Sequence, residues 1–186
     1  LTKDEDVMLK GVEGLKTELY EKGKRVKGTL KEGVDKFLWR EEDNVWAAFG
    51  VTVDKSSEGM LAELSLSETY TYARRHLKEN GNLPRVIRNN VDGTRSHHRH
   101  IGVHLPSPAN DRLFEAWFSW KEIKLSSGRA GYLLGFVPLT EYPGGGFKDL
   151  SKEGFVLAET TGVYFFNEIA PNVCRVTRIQ TVDLHF

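Results

Sequence analysis

The sequence predicts an α+β fold in which an antiparallel sheet carries flanking helices, and two observations predict it. Apolar spacings of three and four residues mark helices in the first eighty positions, as at Met8, Val12, Leu15 and Leu19. From Pro84 onward, period-two alternation and turn signals follow one another, as strands joined by short connections do.

The totals narrow the function classes. A chain of 186 residues forms one domain with a sizeable core. Lys plus Arg and Asp plus Glu both number 26, so no net field draws a polyanion and no nucleic-acid partner is expected. The single cysteine, Cys174 in VCRVT, cannot close an internal disulfide and reads as a packed thiol in a reducing compartment. No run approaches the ~18 apolar residues of a spanning helix, and the N-terminus lacks the shape of a signal peptide. A cytoplasmic location is therefore expected. The chain opens on Leu1 and stops at Phe186 inside a strand pattern, so a longer polypeptide is expected around it.

The elements follow in order. Residues 4–27 carry the first amphipathic stripe, and Lys22, Lys24, Arg25, Lys27 and Lys31 follow it as a basic cluster that suits a helix C-terminus. Residues 45–53 alternate Val45, Ala47, Phe49, Val51 and Val53 against Trp46, Ala48, Gly50 and Thr52, a strand. DKSSE then supplies helix-starting oxygens, with Met60, Leu61, Leu64 and Leu66 behind them. A charged helix ends at Asn80-Gly81, and Pro84 turns the chain extended. Strands are predicted at residues 85–89, 96–105, 113–123, 131–139, 155–167 and 173–184. Asp92-Gly93, Ser126-Ser127-Gly128 and Ala170-Pro171-Asn172 provide turns, and residues 141–154 form a longer loop around Pro143-Gly144-Gly145-Gly146.

Candidate chemistry is sparse. In SHHRH, His98 and His100 share a strand face with His104 two pleats on, a spacing open to a zinc ion. No carboxylate or cysteine stands close in sequence, and Ile101, Val103 and Leu105 claim the buried side, so the histidines are expected in solvent. The glycines at 144–146 precede no GK[ST], and no nucleophile context surrounds Cys174. No catalytic residue, metal or cofactor is expected. Phe114, Ala116, Phe118 and Trp120 form a dry strand face, and Phe136 belongs to the same aromatic set.

Three stretches, in order, resemble one family. HLPSPANDRLFEAWFSWKEI is similar to the LP-x-P-x-x-x-R, aromatic, W-K segment of START lipid-transfer domains. VTVDKSSEGMLAEL resembles their first strand and helix, and FVLAETTGVYFFNEIAPNVCRVTRIQTVDL their last strands. The likeness covers residues 45–184 and divides the chain into an N-terminal helix and linker, 1–44, and a START-like domain, 45–186. It implies a helix-grip fold whose sheet wraps a long C-terminal helix, with a tunnel between them for one lipid or sterol. That helix would begin where this chain stops, and Leu157 stands where many members carry arginine.

On this reading the cavity is lined by Ile101, Val103, Leu105, Phe114, Phe118, Trp120 and Phe136, the partner is a lipid or sterol, and contact with a membrane is transient. Taking a ~16-carbon chain from apolar surroundings costs about 13 kcal/mol, so enclosure by apolar walls decides binding. Two alternatives stay open. One is a regulatory or interaction module whose pocket is filled by aromatics. The other is a cyclase- or hydrolase-type enzyme on the same scaffold using His98, His100 or His104.

Overall fold

The computed structural model describes residues 1–27, 33–66, 69–144 and 155–185. Its helices are α1 (Lys3–Glu13), α2 (Leu15–Lys22), α3 (Ser57–Leu66) and α4 (Tyr70–Asn80). Its strands are β1 (Lys24–Arg25), β2 (Val34–Glu41), β3 (Asn44–Val53), β4 (Arg85–Arg88), β5 (His97–Val103), β6 (Arg112–Lys124), β7 (Ala130–Pro138), β8 (Val156–Ala170) and β9 (Val173–Asp183). The strands make one sheet in the order β1-β2-β3-β9-β8-β7-β6-β5-β4. Neighbours run antiparallel. Where β7 ends at Pro138, the first residues of β8 pair directly with the start of β6, Arg112 opposite Val156 and Phe114 opposite Ala158.

The first helix forms where a capping box allows it. The Thr2 hydroxyl accepts from the Glu5 amide at 3.2 Å, and the Glu5 carboxylate accepts from the Thr2 amide at 2.7 Å, satisfying donors the first turn leaves open. The single amphipathic helix expected over residues 4–27 is instead two, divided at Gly14 and ended at Gly23. The apolar stripe nonetheless runs through both. Met8, Leu9, Val12, Leu15 and Leu19 bury against Trp39, Trp46, Leu133, Val137, Val163, Phe165 and Ile179. Burying five such side chains contributes on the order of 10 kcal/mol as an upper estimate. Gly135 makes the approach possible, because a Cβ there would lie 2.8 Å from Val12 and 3.0 Å from Leu9.

The segment read from sequence as helix and linker also contributes β2, which pairs with β3 along its whole length, Trp39 opposite Trp46. Their rings stack at 6.0 Å. The other sheet face is covered by α3, whose Leu61 packs with Phe118, Leu134, Phe136, Phe166, Cys174 and Val176. Two faces thus bury two cores, one under α1 and α2, the other under α3.

This division corrects two expectations. On β6 both faces are dry: Leu113, Trp117 and Ser119, the side opposite Phe118, are 0, 2 and 0 % exposed. On β5 the order is reversed from the expected one. His98 and His100 lie on the α1 face at 2 and 3 % exposed, whereas Ile101 and Val103, on the α3 face, are only half-buried. The reason is coverage: Tyr142 folds over the histidine side, its ring 4.4 Å from His98 and 5.2 Å from Trp117, and the far end of the α3 face has less above it. His104 is exposed, as expected, beside Asp111 at 2.8 Å. The part of the predicted loop from residue 145 to 154 lies outside the described residues.

Candidate functional site

The turn before β6 sets the site. Pro106 and Pro108 break the extended run, and the Asp111 carboxylate accepts from the Leu105 amide and from His104. Arg112 is fixed by donating to Asn110 O at 2.6 Å and Leu184 O at 2.5 Å. The reversal lays β6 on β5 with Ile101 opposite Phe114 and Arg99 opposite Ala116. Alternation then turns Phe114, Ala116, Phe118 and Trp120 to the α3 face.

On that face lies a cavity of about 310 Å³, lined by Arg99 and Ile101 of β5, Phe114, Ala116 and Phe118 of β6, Thr160 of β8, and Arg178, Gln180 and Val182 of β9. Val182 is 41 % exposed and marks its open side. The inner wall is aromatic: Phe118 stacks on Phe136 at 5.1 Å, Phe136 meets Tyr164 at 5.8 Å, and Tyr164 stacks on Phe166 at 5.9 Å. Gly162 leaves the room that Phe136 occupies, since a Cβ there would sit 2.5 Å from its ring.

Two guanidinium groups stand among these rings. Arg99 lies 3.9 Å from the Phe118 centroid and donates to the carbonyls of Leu64 and Ser65 at the end of α3. Arg178 lies 5.2 Å from the Tyr164 centroid. The Nε of each, and the Gln180 carbonyl oxygen, are buried without a hydrogen-bond partner. Burial, with Arg85 and Arg178 nearby, lowers the Arg99 pKa to about 10.

Of the residues expected to line a cavity, Ile101, Phe114 and Phe118 do so. Phe136 stands behind Phe118 at 2 % exposed. Trp120 lies farther along β6 against Tyr132 and beneath Arg95. Val103 sits one pleat beyond Ile101, opposite Arg112, and Leu105 lies past the end of β5. Sequence reasoning missed Arg99, Ala116, Thr160, Arg178, Gln180 and Val182. A signal was present for Arg99, which alternates with Ile101 in HHRHIGV and so shares its face.

The three histidines do not converge on this cavity. His98 and His100 are on the opposite face, where His100 Nδ1 meets the Glu115 carboxylate at 2.7 Å. Among the described residues no three of His, Cys, Asp or Glu come together as a metal site. Cys174 is a fully buried thiol, its pKa pushed up to about 11 by burial. The hollow along α4 between Tyr70, Arg74 and Lys78 lies on an exposed face.

These features define a START-like helix-grip fold of the α+β class, with a curved sheet that does not close. Solved structures with this architecture include human StAR-related lipid transfer protein 5, at TM-score 0.63 and 15 % identity, covering 98 % of this chain and 83 % of that one. The human StarD13 (DLC2) lipid transfer and protein localization domain matches at TM-score 0.61 and 17 % identity, over 94 % of this chain and 82 % of that one. Human STARD10 matches at 0.60 and 16 %, over 95 % and 68 %. No family model and no curated protein matches the chain. No helix among the described residues is long and apolar enough to cross a membrane.

Proposed function

We propose that this domain is a noncatalytic lipid-binding module that holds one lipid or sterol in the cavity between β5, β6, β8 and β9. The observation that carries the reading is the apolar wall of Ile101, Phe114, Ala116, Phe118 and Val182 around about 310 Å³ of space, within the size range of ligand sites, about 300–1,000 Å³. Neighbours named for lipid transfer share the fold, which supports the same reading. Val103, Leu105, Trp120 and Phe136 extend or back the wall. A cytoplasmic protein of this kind would take its lipid during brief contact with a membrane surface, and further chain beyond this domain would add cover to the open side.

A second reading draws on the Phe118, Phe136, Tyr164 and Phe166 stack, which fills the middle of the same face beneath α3. An interaction module with a filled pocket would look like this at its centre. One experiment separates the two. Incubated with vesicles of mixed phospholipid, sterol, ceramide and fatty acid, the purified protein retains one lipid per chain by native mass spectrometry. Ala116→Trp, which places an indole in the cavity, abolishes retention while thermal unfolding stays cooperative. Absence of any retained lipid overturns the lipid reading in favour of the filled pocket.

A further inference from the structure

The cavity wall is mostly hydrocarbon, yet two of its nine lining side chains are arginines. Both side chains are half-buried, and a cation drawn out of water is stabilised by pairing or hydrogen bonding. Arg99 spends one end of its guanidinium on the Leu64 and Ser65 carbonyls, and among the described residues Arg178 makes a ring contact with Tyr164. Each leaves its Nε buried and unbonded. Among the described residues neither is paired with a carboxylate, and Arg85 and Arg178 are cations acting on Arg99. Gln180 adds a carboxamide whose oxygen is also unbonded, and Thr160 adds a hydroxyl beside it. Two planar donor groups that line one apolar space, with no carboxylate paired to either among the described residues, suit an oxygen anion.

Resting on the lipid-binding reading, we infer that the cavity selects an amphiphile with an anionic head. A carboxylate or phosphate would lie between Arg99 and Arg178, with the acyl chain over Ile101, Phe114 and Phe118. The anion supplies the charged partner that neither arginine has among the described residues. A neutral head leaves both cations as they are and gains only the apolar contacts.

The test compares ligands that differ only at the head. Binding of oleate, oleyl alcohol and oleyl phosphate is measured by titration calorimetry on the whole protein and on Arg178→Gln. Arg178 is the residue to change because Arg99 also caps α3. Oleate should bind about 10- to 100-fold more tightly than oleyl alcohol, as charge-assisted bonds predict. Arg178→Gln should lose about tenfold for oleate and leave oleyl alcohol within about twofold. Gln180→Glu, which adds a carboxylate beside the pair, should weaken oleate in the same selective way. The oleyl phosphate arm separates the two head chemistries: tighter binding than oleate assigns the site to phosphate, weaker binding to carboxylate. Equal affinity for oleate and oleyl alcohol, or an equal loss of both in Arg178→Gln, overturns the anion site while the lipid reading stands. Failure of every ligand to bind overturns both.

Discussion

Glu5 shows how one side chain holds two layers together. It is 1 % exposed, caps α1 through Thr2, and accepts from the Ser96 hydroxyl at 3.0 Å, which in turn accepts from the Trp117 indole at 2.8 Å. Burial would raise its pKa, but the hydrogen bonds from Thr2 and Ser96 outweigh this and hold the carboxyl below its ordinary value. Glu5→Ala leaves those donors unmet in a dry site and should cost about 1–3 kcal/mol, read as a shift of the urea midpoint at constant slope. His97 and His98 act through their protons. Burial first, then Arg99 for His97 and His100 for His98, lowers each pKa to about 4 from the ordinary 6.5. Between those values the unfolded chain binds more protons than the folded one, so stability falls as pH drops through that window. Glu5, lowered, adds to the loss below its ordinary value. From about pH 7 to about pH 4.5 the loss should be on the order of 5 kcal/mol, measured by denaturant titration at each pH. A flat profile would show that the two imidazoles are not held neutral.

The two helical layers do different work. α1 and α2 bury their stripe on the face away from the cavity, so Leu9→Ala should destabilise by about 2–5 kcal/mol while the folded fraction binds lipid as before. A loss of binding beyond the loss of folded protein would show that the layers are coupled through the sheet. The legibility of the elements divides along physical lines. Strands with clear alternation, such as β3, β6 and β9, were readable within a residue or two, as was the core stripe Met8, Val12, Leu15 and Leu19. β2 was not, because the tight turn joining it to β3 puts Glu42 at φ 52 instead of using Asn-Gly or Asp-Gly. The break at Gly14 was hidden because the apolar stripe continues through it. The burial of His98 and His100 was unreadable locally, since Tyr142, about forty residues on, supplies their cover. The cavity followed the same rule: Ile101, Phe114 and Phe118 were legible from alternation, whereas Arg178, Gln180 and Val182 join them only once β9 is placed two strands from β7.

For the whole molecule, the order of the strands matters more than their number. β9 lies between β3 and β8, so the first hairpin and the last strand stand side by side at the middle of the sheet, and the margins are left to β1 and β4. Such margins present open backbone groups that invite another chain to add a strand. Both are short and basic here: β1 is Lys24 and Arg25, and β4 is Arg85 to Arg88 behind Pro84. Like charges meeting like charges would repel approaching copies, and salt would weaken that defence. Dilute protein should therefore scatter light as single chains at low ionic strength, and Arg85→Ile with Arg88→Ile should promote fibrillar or ladder-like association that wild type resists. If the lipid-binding proposal holds, such guarded borders matter the more, because exposed sheet rims and greasy interiors together are what make aggregates grow.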